Sequence, residues 1–230
     1  MNRKLDVWTA WGVSISRLGS GLFAGELGPR PEKPLILYEF EACPFCRKVR
    51  EALTTLDLEA EIRPCPKGGP RFREELKKKT GRAQFPYLED PNTGAAMFES
   101  DEIIAYLYKQ YGAGRPPLLR WSAPATYLSA PLAASLRPGN ASYVKARAPE
   151  KPLELYSFEA SPYCRIARET LCKLELPYLL HNVGKGSPSR KKFAQMSGKM
   201  MVPFLIDPNT GAKMFESADI KAYLYKTYAL

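Results

Sequence analysis

The strongest constraint on the fold is that the chain contains one stretch twice. A segment beginning Lys33-Pro34-Leu35-Ile36-Leu37-Tyr38 and running into Cys43-Pro44-Phe45-Cys46 recurs as Lys151-Pro152-Leu153-Glu154-Leu155-Tyr156, with Ser161-Pro162-Tyr163-Cys164 in place of the cysteine pair. About half of the aligned positions are identical, so one architecture has to serve two sequences. Each copy, at about 80 residues, is long enough to close a core of its own. The chain therefore divides into residues 33–112 and 151–230, preceded by 1–32 and joined by a Pro-rich connector over 113–150. The alignment that sets Cys46 on Cys164 also sets Leu18 on Leu136, Gly21 on Gly139 and Glu32-Lys33-Pro34 on Glu150-Lys151-Pro152, which extends the duplicated unit into its leader.

Within the first copy, Leu35 to Phe40 is an apolar, aromatic run of the kind that makes a buried strand. Pro44 suits the first turn of a helix, where a missing N–H costs nothing, and Val49, Leu53 and Leu56 carry a helical apolar spacing onward. A second strand over roughly 60–64 must run parallel to the first, because a helix crosses between them. Phe72 to Lys79 reads as a second helix closed by Gly81. Two short strands then flank Asp90-Pro91-Asn92-Thr93-Gly94 as a hairpin, and Ile103, Ile104, Leu107 and Tyr111 mark a last helix opened by Glu99-Ser100-Asp101. The order is βαβαββα, and the second copy repeats it. In the leader, Trp8, Trp11, Ile15, Leu18 and Leu22 fall on one helical stripe. A helix docked on its own domain is the expectation there, with membrane-surface contact through residues 7–23 as the alternative.

Hydrophobic content of 45% and charged content of 25% belong to a soluble globular protein. No apolar run is long enough to span a bilayer and no signal-peptide core opens the chain, so a cytoplasmic location is expected, or the chloroplast stroma in a plant or alga. The five cysteines are an odd number with one close pair, which fits a reducing compartment and a redox motif better than a disulfide framework. The net charge of +10 is carried partly by Lys77-Lys78-Lys79 and Arg190-Lys191-Lys192, which read as solvated helix faces. No zinc-finger, helix-turn-helix or aromatic RNA-binding signature accompanies them, so nucleic acid is not an expected partner.

The element order, Cys-Pro-Phe-Cys after the first strand, Phe85-Pro86-Tyr87-Leu88 before the hairpin and Phe98-Glu99-Ser100-Asp101 at the last helix together resemble the glutaredoxin branch of the thioredoxin fold. More narrowly they are similar to the N-terminal domain of glutathione S-transferases, and the duplication is similar to tandem proteins built of that domain in photosynthetic organisms and bacteria. The resemblance implies an α/β fold of two tandem thioredoxin-like domains, without the all-helical domain that supplies a transferase's electrophile pocket. It implies glutathione as ligand or cosubstrate, and cis peptide bonds at Pro86 and Pro203. The backbone of Phe85 and Val202 would pair with the cysteinyl part of glutathione, and Glu99-Ser100 and Glu216-Ser217 would hold its γ-glutamyl end. In the second copy the hydroxyl of Ser161 would donate to a bound thiolate. Glutaredoxins usually carry a lysine just before the cysteine motif, whereas this chain has Glu39, Glu41 and Ala42 in that neighbourhood.

Cys43 is the expected nucleophile, since the first cysteine of such a motif lies at a helix N-terminus that favours thiolate, and Cys46 is the expected resolving thiol. Cys43 should be partly exposed with Cys46 buried behind it, and Arg47 and Lys48 are placed to help ionise it. Cys65 and Cys172 read as incidental loop and core residues. His181 reads as the start of a loop, with no carboxylate partner to name. A metal centre would need two further ligands and is not expected. These residues point to a glutathione-linked thiol-disulfide oxidoreductase acting on a disulfide or a glutathionylated protein. The alternatives are a non-catalytic glutathione-binding or interaction scaffold, and transferase activity on small substrates.

Overall fold

A computed structural model describes residues 21–25, 27–113 and 142–230. The first half is β1 (Leu35–Glu39), α1 (Pro44–Thr55), β2 (Ala60–Pro64), α2 (Phe72–Thr80), β3 (Tyr87–Asp90), β4 (Ala95–Phe98) and α3 (Ser100–Tyr111). The second is β5 (Leu153–Ser157), α4 (Pro162–Lys173), β6 (Tyr178–Asn182), α5 (Ser189–Ser197), β7 (Phe204–Asp207), β8 (Ala212–Phe215) and α6 (Ser217–Tyr228). Each half has the expected βαβαββα order, a parallel first pair of strands, and a hairpin whose first strand runs antiparallel to the opening strand.

The two four-stranded sheets do not stand apart. They join edge to edge through an antiparallel β2–β6 pairing, Ala60 opposite Leu180 and Ile62 opposite Tyr178, into one eight-stranded sheet of order β4-β3-β1-β2-β6-β5-β7-β8. The pairing covers β2 and β6, one of the two edge strands of each half, and leaves β4 and β8 as the edges of the joined sheet. Alternation along β1 sends Leu35 and Leu37 to the side of α1 and α3, and Tyr38 to the side of α2. The larger core is continuous across the junction: Leu53, Leu56, Ile62 and Leu107 belong to one buried cluster with Leu155, Leu171, Leu180 and Leu224.

The hairpin turn is tied down identically in both halves. Asp90 accepts hydrogen bonds from Tyr111, from Tyr106 at 2.6 Å and from the Asn92 N–H at 2.8 Å, while the Asn92 amide clasps the backbone of Lys33. Asp207, Tyr228, Tyr223, Asn209 and Lys151 repeat the arrangement.

The described part of the leaders crosses between halves. Ala24 N–H donates to the Lys185 carbonyl at 2.8 Å in the second half, and Gly25 N–H to Thr55 at 3.1 Å in the first. In the other leader Tyr143 N–H donates to Lys67 at 3.0 Å and Val144 N–H to Lys173 at 2.8 Å. These bonds equate Ala24 with Tyr143, not with Ser142 as the sequence alignment has it, so the leader of the second copy is one residue shorter. Trp8, Trp11, Ile15 and Leu18, with most of the stretch proposed for membrane contact, lie outside the described residues. Leu22, the end of that stripe, is not helical, and its carbonyl accepts from Lys185 N–H at 2.8 Å. Among the described residues no helix is long and apolar enough to cross a membrane.

Candidate functional site

The site is built at the C-terminal end of β1. Cys43 is the N-cap of α1, with extended φ and ψ of −77° and 121°, and its sulfur accepts a hydrogen bond from the Cys46 N–H at 3.3 Å. Pro44 occupies the first turn, as the missing donor allows. The Cys43 thiol lies below its ordinary pKa, chiefly through a hydrogen bond from the Cys46 thiol and further through the N–H groups of Cys46 and Phe45, against the upward push of burial and Glu39. Burial drives Cys46 well above the ordinary range, and its bond to Cys43 adds to this. The two thiols thereby differ, Cys43 lowered at the cap and Cys46 raised by its burial.

Cys43 is more enclosed than its expected role suggested, at 5% exposure. The reason is the cap itself: the side chain is turned inward onto Cys46 instead of outward. Arg47 and Lys48 also depart from expectation. Arg47 pairs with Glu51 at 3.0 Å and approaches Glu159 at 3.7 Å, and the buried Lys48 pairs with Asp101 in the first turn of α3. That last contact joins the starts of α1 and α3.

The β1–β3 register, with Tyr38 opposite Tyr87, brings Phe40 and Phe85 together beyond the strand ends. Their rings meet edge to face at 5.9 Å, with the Arg73 guanidinium 5.5 Å and 4.7 Å from the two ring centres. The Phe85–Pro86 bond is cis, and so is Val202–Pro203. Glu99 and Glu216 precede α3 and α6 with φ of 64° in each case, a left-handed conformation that non-glycine residues seldom adopt and that tends to persist where a site requires it. Glu99 accepts from the Gln84 amide, which links the helix start to the segment leading into Pro86. Ser100 and Ser217 are the buried first residues of their helices. Cys43, Phe85, Pro86, Glu99 and Ser100 are thus carried to one end of the first half by β1, β3 and α3.

In the second half Ser161 replaces Cys43 as N-cap, its Oγ accepting from the Cys164 N–H at 3.3 Å. Burial raises the Cys164 thiol, with hydrogen bonds from Ser161 and Ser157 partly offsetting it. Ile166 and Ala218 stand where the first half has Lys48 and Asp101, so the ion pair between helix starts has no counterpart.

Sequence reasoning missed the junction between halves. Glu41 and Glu159, from the two loops that precede α1 and α4, meet Arg50 and Arg168: Arg168 binds Glu41 at 3.1 Å and Glu159 at 2.9 Å, and Arg50 binds Glu159 at 3.0 Å and Glu41 at 3.2 Å. Only the duplication hinted at this, because Phe-Glu-Ala precedes the motif in both copies. Cys172 also lies here, accepting from the Glu41 N–H at 3.5 Å, and Cys65 is buried beside the end of β1. His181 is inside β6, not in a loop. It faces Glu59 of the first half at 2.6 Å and Glu154 at 3.3 Å, and stacks on Tyr156 at 4.4 Å. Among the described residues no group of three or more histidine, cysteine or carboxylate side chains is placed to hold a metal ion.

Two successive βαβαββα units, each with a cis proline before its hairpin and a helix capped by the motif's first residue, define a thioredoxin-like protein with no all-helical unit among its described residues. The family model for the N-terminal domain of glutathione S-transferase matches residues 37–116 and 155–230, most of the chain, and the chain belongs to that family, carrying the domain twice. Among solved structures, a glutathione transferase of Bombyx mori is similar at 26% identity and a TM-score of 0.33, covering 37% of this chain and 39% of its own. A delta-class glutathione transferase of Nilaparvata lugens has 31% identity and a TM-score of 0.29, covering 34% and 37%. A trimeric glutathione transferase of Leishmania has 16% identity and a TM-score of 0.30, covering 86% and 67%. The chain thus spans about two fifths of the length of the first of these. A search of the curated proteins finds no match.

Proposed function

We propose that the chain is a glutathione-linked thiol-disulfide oxidoreductase in which Cys43 attacks and Cys46 resolves. The observation that carries this reading is the geometry of the cap, where Cys43 opens α1 with its sulfur accepting from the Cys46 N–H at 3.3 Å and Cys46 is fully buried behind it, in a family whose name is taken from glutathione chemistry. Glutathione would lie against the Phe85–Pro86 backbone, with its γ-glutamyl carboxylate at the Ser100 hydroxyl and the free N–H groups opening α3, and its α-amino group toward Glu99. The physiological substrate would be a disulfide or a glutathionylated protein. Mixing the reduced chain with glutathione disulfide should give a Cys43–glutathione adduct that resolves to a Cys43–Cys46 disulfide, read by mass spectrometry. No adduct in the native chain, or an equal yield in Cys43→Ser, would refute the assignment.

The enclosure of Cys43 and the serine in the second half favour one competing reading, a glutathione-binding or interaction scaffold without turnover. In it, the second site would use Val202, Pro203, Glu216, Ser217 and the Ser161 hydroxyl. Calorimetry on the whole chain locates the sites: two bound glutathiones per chain assign a site to each half, one confines binding to a single half, and Ser161→Ala should weaken only a second-half site; binding without any Cys43 adduct from glutathione disulfide would favour the scaffold.

A further inference from the structure

The duplication keeps the fold of the second half but not its charge. Over residues 58–89 the first copy has five carboxylates, Glu59, Glu61, Glu74, Glu75 and Glu89, and over 176–206 the second copy has none. Gly81 and Gly198 are the left-handed caps of α2 and α5, both at a φ of 81°, which matches Glu74 with Lys191, Glu75 with Lys192 and Lys79 with Met196. Strand pairing matches Glu89, opposite Ile36, with Ile206, opposite Glu154. Pro177 and Leu179 stand where the first copy has Glu59 and Glu61. The cations were kept and increased, so that the acid-free stretch carries Lys185, Arg190, Lys191, Lys192 and Lys199.

The local needs of α5 do not account for these cations. In the first turn of α2, Glu74 and Glu75 complement the helix dipole, whereas α5 has no acidic residue there and Lys191 and Lys192 oppose the dipole. Arg190 is turned back onto the Val183 carbonyl at 2.8 Å. Lys185, Lys191, Lys192 and Lys199 are exposed, and among the described residues none of them has a carboxylate at ion-pairing distance. The carboxylates nearby are engaged elsewhere: Glu59 and Glu154 flank His181 at 2.6 Å and 3.3 Å, and Asp57 accepts from the Ser189 hydroxyl at 3.4 Å. Lys192 reaches Glu59 only by longer-range attraction. Two exposed apolar side chains lie among the lysines. Met196, 45% exposed, is one helical turn beyond Lys192 and three residues before Lys199, and Phe23, 60% exposed, has the Lys185 ammonium 5.8 Å from its ring centre. In the first half the place of Met196 is taken by Lys79, which is paired with Glu89.

We propose that the α5 face of the second half docks on an anionic lipid bilayer, with Lys185, Lys191, Lys192 and Lys199 at the headgroups and Phe23 and Met196 at the boundary with the acyl chains. The excess of unpaired cations supplies the charge complementarity, and each cation held near such a surface strengthens binding by about fivefold. Lysines alone would suit an acidic protein equally well. Single apolar tips set between lysines favour the bilayer, because its interface takes up ammonium and hydrocarbon side by side. The half without a dithiol thus serves to hold the half with one at the surface, an inference independent of how Cys43 reacts.

Flotation of the whole chain with vesicles tests this. The chain should float with vesicles of phosphatidylcholine and phosphatidylglycerol, stay behind with phosphatidylcholine alone, and be released by salt. The pair Lys191→Glu and Lys192→Glu restores the charges found in α2, should fold as well as the native chain by circular dichroism, and should weaken binding by about tenfold or more. The same reversal at Lys77 and Lys78 of α2, equal in charge, should weaken it far less. Phe23→Ser with Met196→Ser, which leaves the charge unchanged, should weaken it severalfold. No preference for the anionic vesicles, an equal loss from the two lysine pairs, or native binding by the serine pair would each overturn the proposal. Capture by immobilised polyglutamate through Lys191 and Lys192, without flotation, would overturn it too and assign the face to an acidic protein.

Discussion

Cys43 and Ser161 hold the same cap position with different atoms, and the difference is measurable. A hydroxyl oxygen is a strong N-cap acceptor, so Ser161→Ala should cost about 1 kcal/mol in urea unfolding, and Cys43→Ala should cost less because sulfur accepts weakly. At neutral pH iodoacetamide should label Cys43 ahead of the four other cysteines, each of which is buried; Cys65 or Cys164 reacting first would contradict the assignment. Glu39 and Glu159 make opposite contributions to stability as pH changes. Glu39 is raised to about 7 by its burial, so the folded chain binds its proton more tightly than the unfolded chain, and stability falls as pH rises from about 4.5 to 7. Glu159 is lowered to about 2: burial works against its charge, but Arg168, Arg50 and Arg47 outweigh it, so its stabilisation is present at neutral pH and lost as pH falls through the acid range. Glu39→Gln should remove the first slope, about 1.4 kcal/mol per pH unit where it is steepest, and so raise stability relative to the native chain at pH about 8. The cysteine motif and its helix were readable from spacing alone. The charge state of Glu39 was not, because its neighbours arrive from a helix and from the other half of the chain.

Among elements, the hairpin and the last helix of each half were legible because Asp-Pro-Asn-Thr-Gly is local turn chemistry. What the sequence left unsaid is that the same aspartate anchors the helix that follows. Burial alone would raise the Asp90 carboxyl, but hydrogen bonds from Tyr106, Tyr111 and Asn92 bring it below the usual range. Asp90→Ala strands these donors and should cost about 3 kcal/mol, with Asp207→Ala comparable; loss of either measured in urea by less than about 1 kcal/mol would mean water substitutes for the carboxylate. His181 was misplaced for a reason of the same kind. The repeat announced a strand here, but it runs on past Leu180 because His181 and Asn182 still pair with Tyr156 and Ser157 of β5. Its partner Glu59 lies in the other copy, where no pattern within a single repeat would reveal it.

For the whole molecule, the duplication predicted two similar units and the structure joins them by a shared sheet, a shared core and crossed leaders. Denaturation should therefore follow one cooperative transition by every probe, and two separable transitions would show that the junction contributes little. Arg168→Met leaves Glu41 and Glu159 sharing Arg50 as their close cation and should cost about 3–5 kcal/mol, the usual effect of breaking a buried ion network from one side. The antiparallel β2–β6 seam has a further consequence for the order of synthesis. The half nearer the N-terminus leaves the ribosome first, with β2 bare along its hydrogen-bonding edge and with Glu41 and Arg50 paired to each other but lacking Arg168 and Glu159 until about a hundred more residues follow. During that interval β2 of a neighbouring nascent chain presents an equivalent edge with the same charges, so crowded polysomes favour pairing between chains, and slower initiation should favour pairing within one.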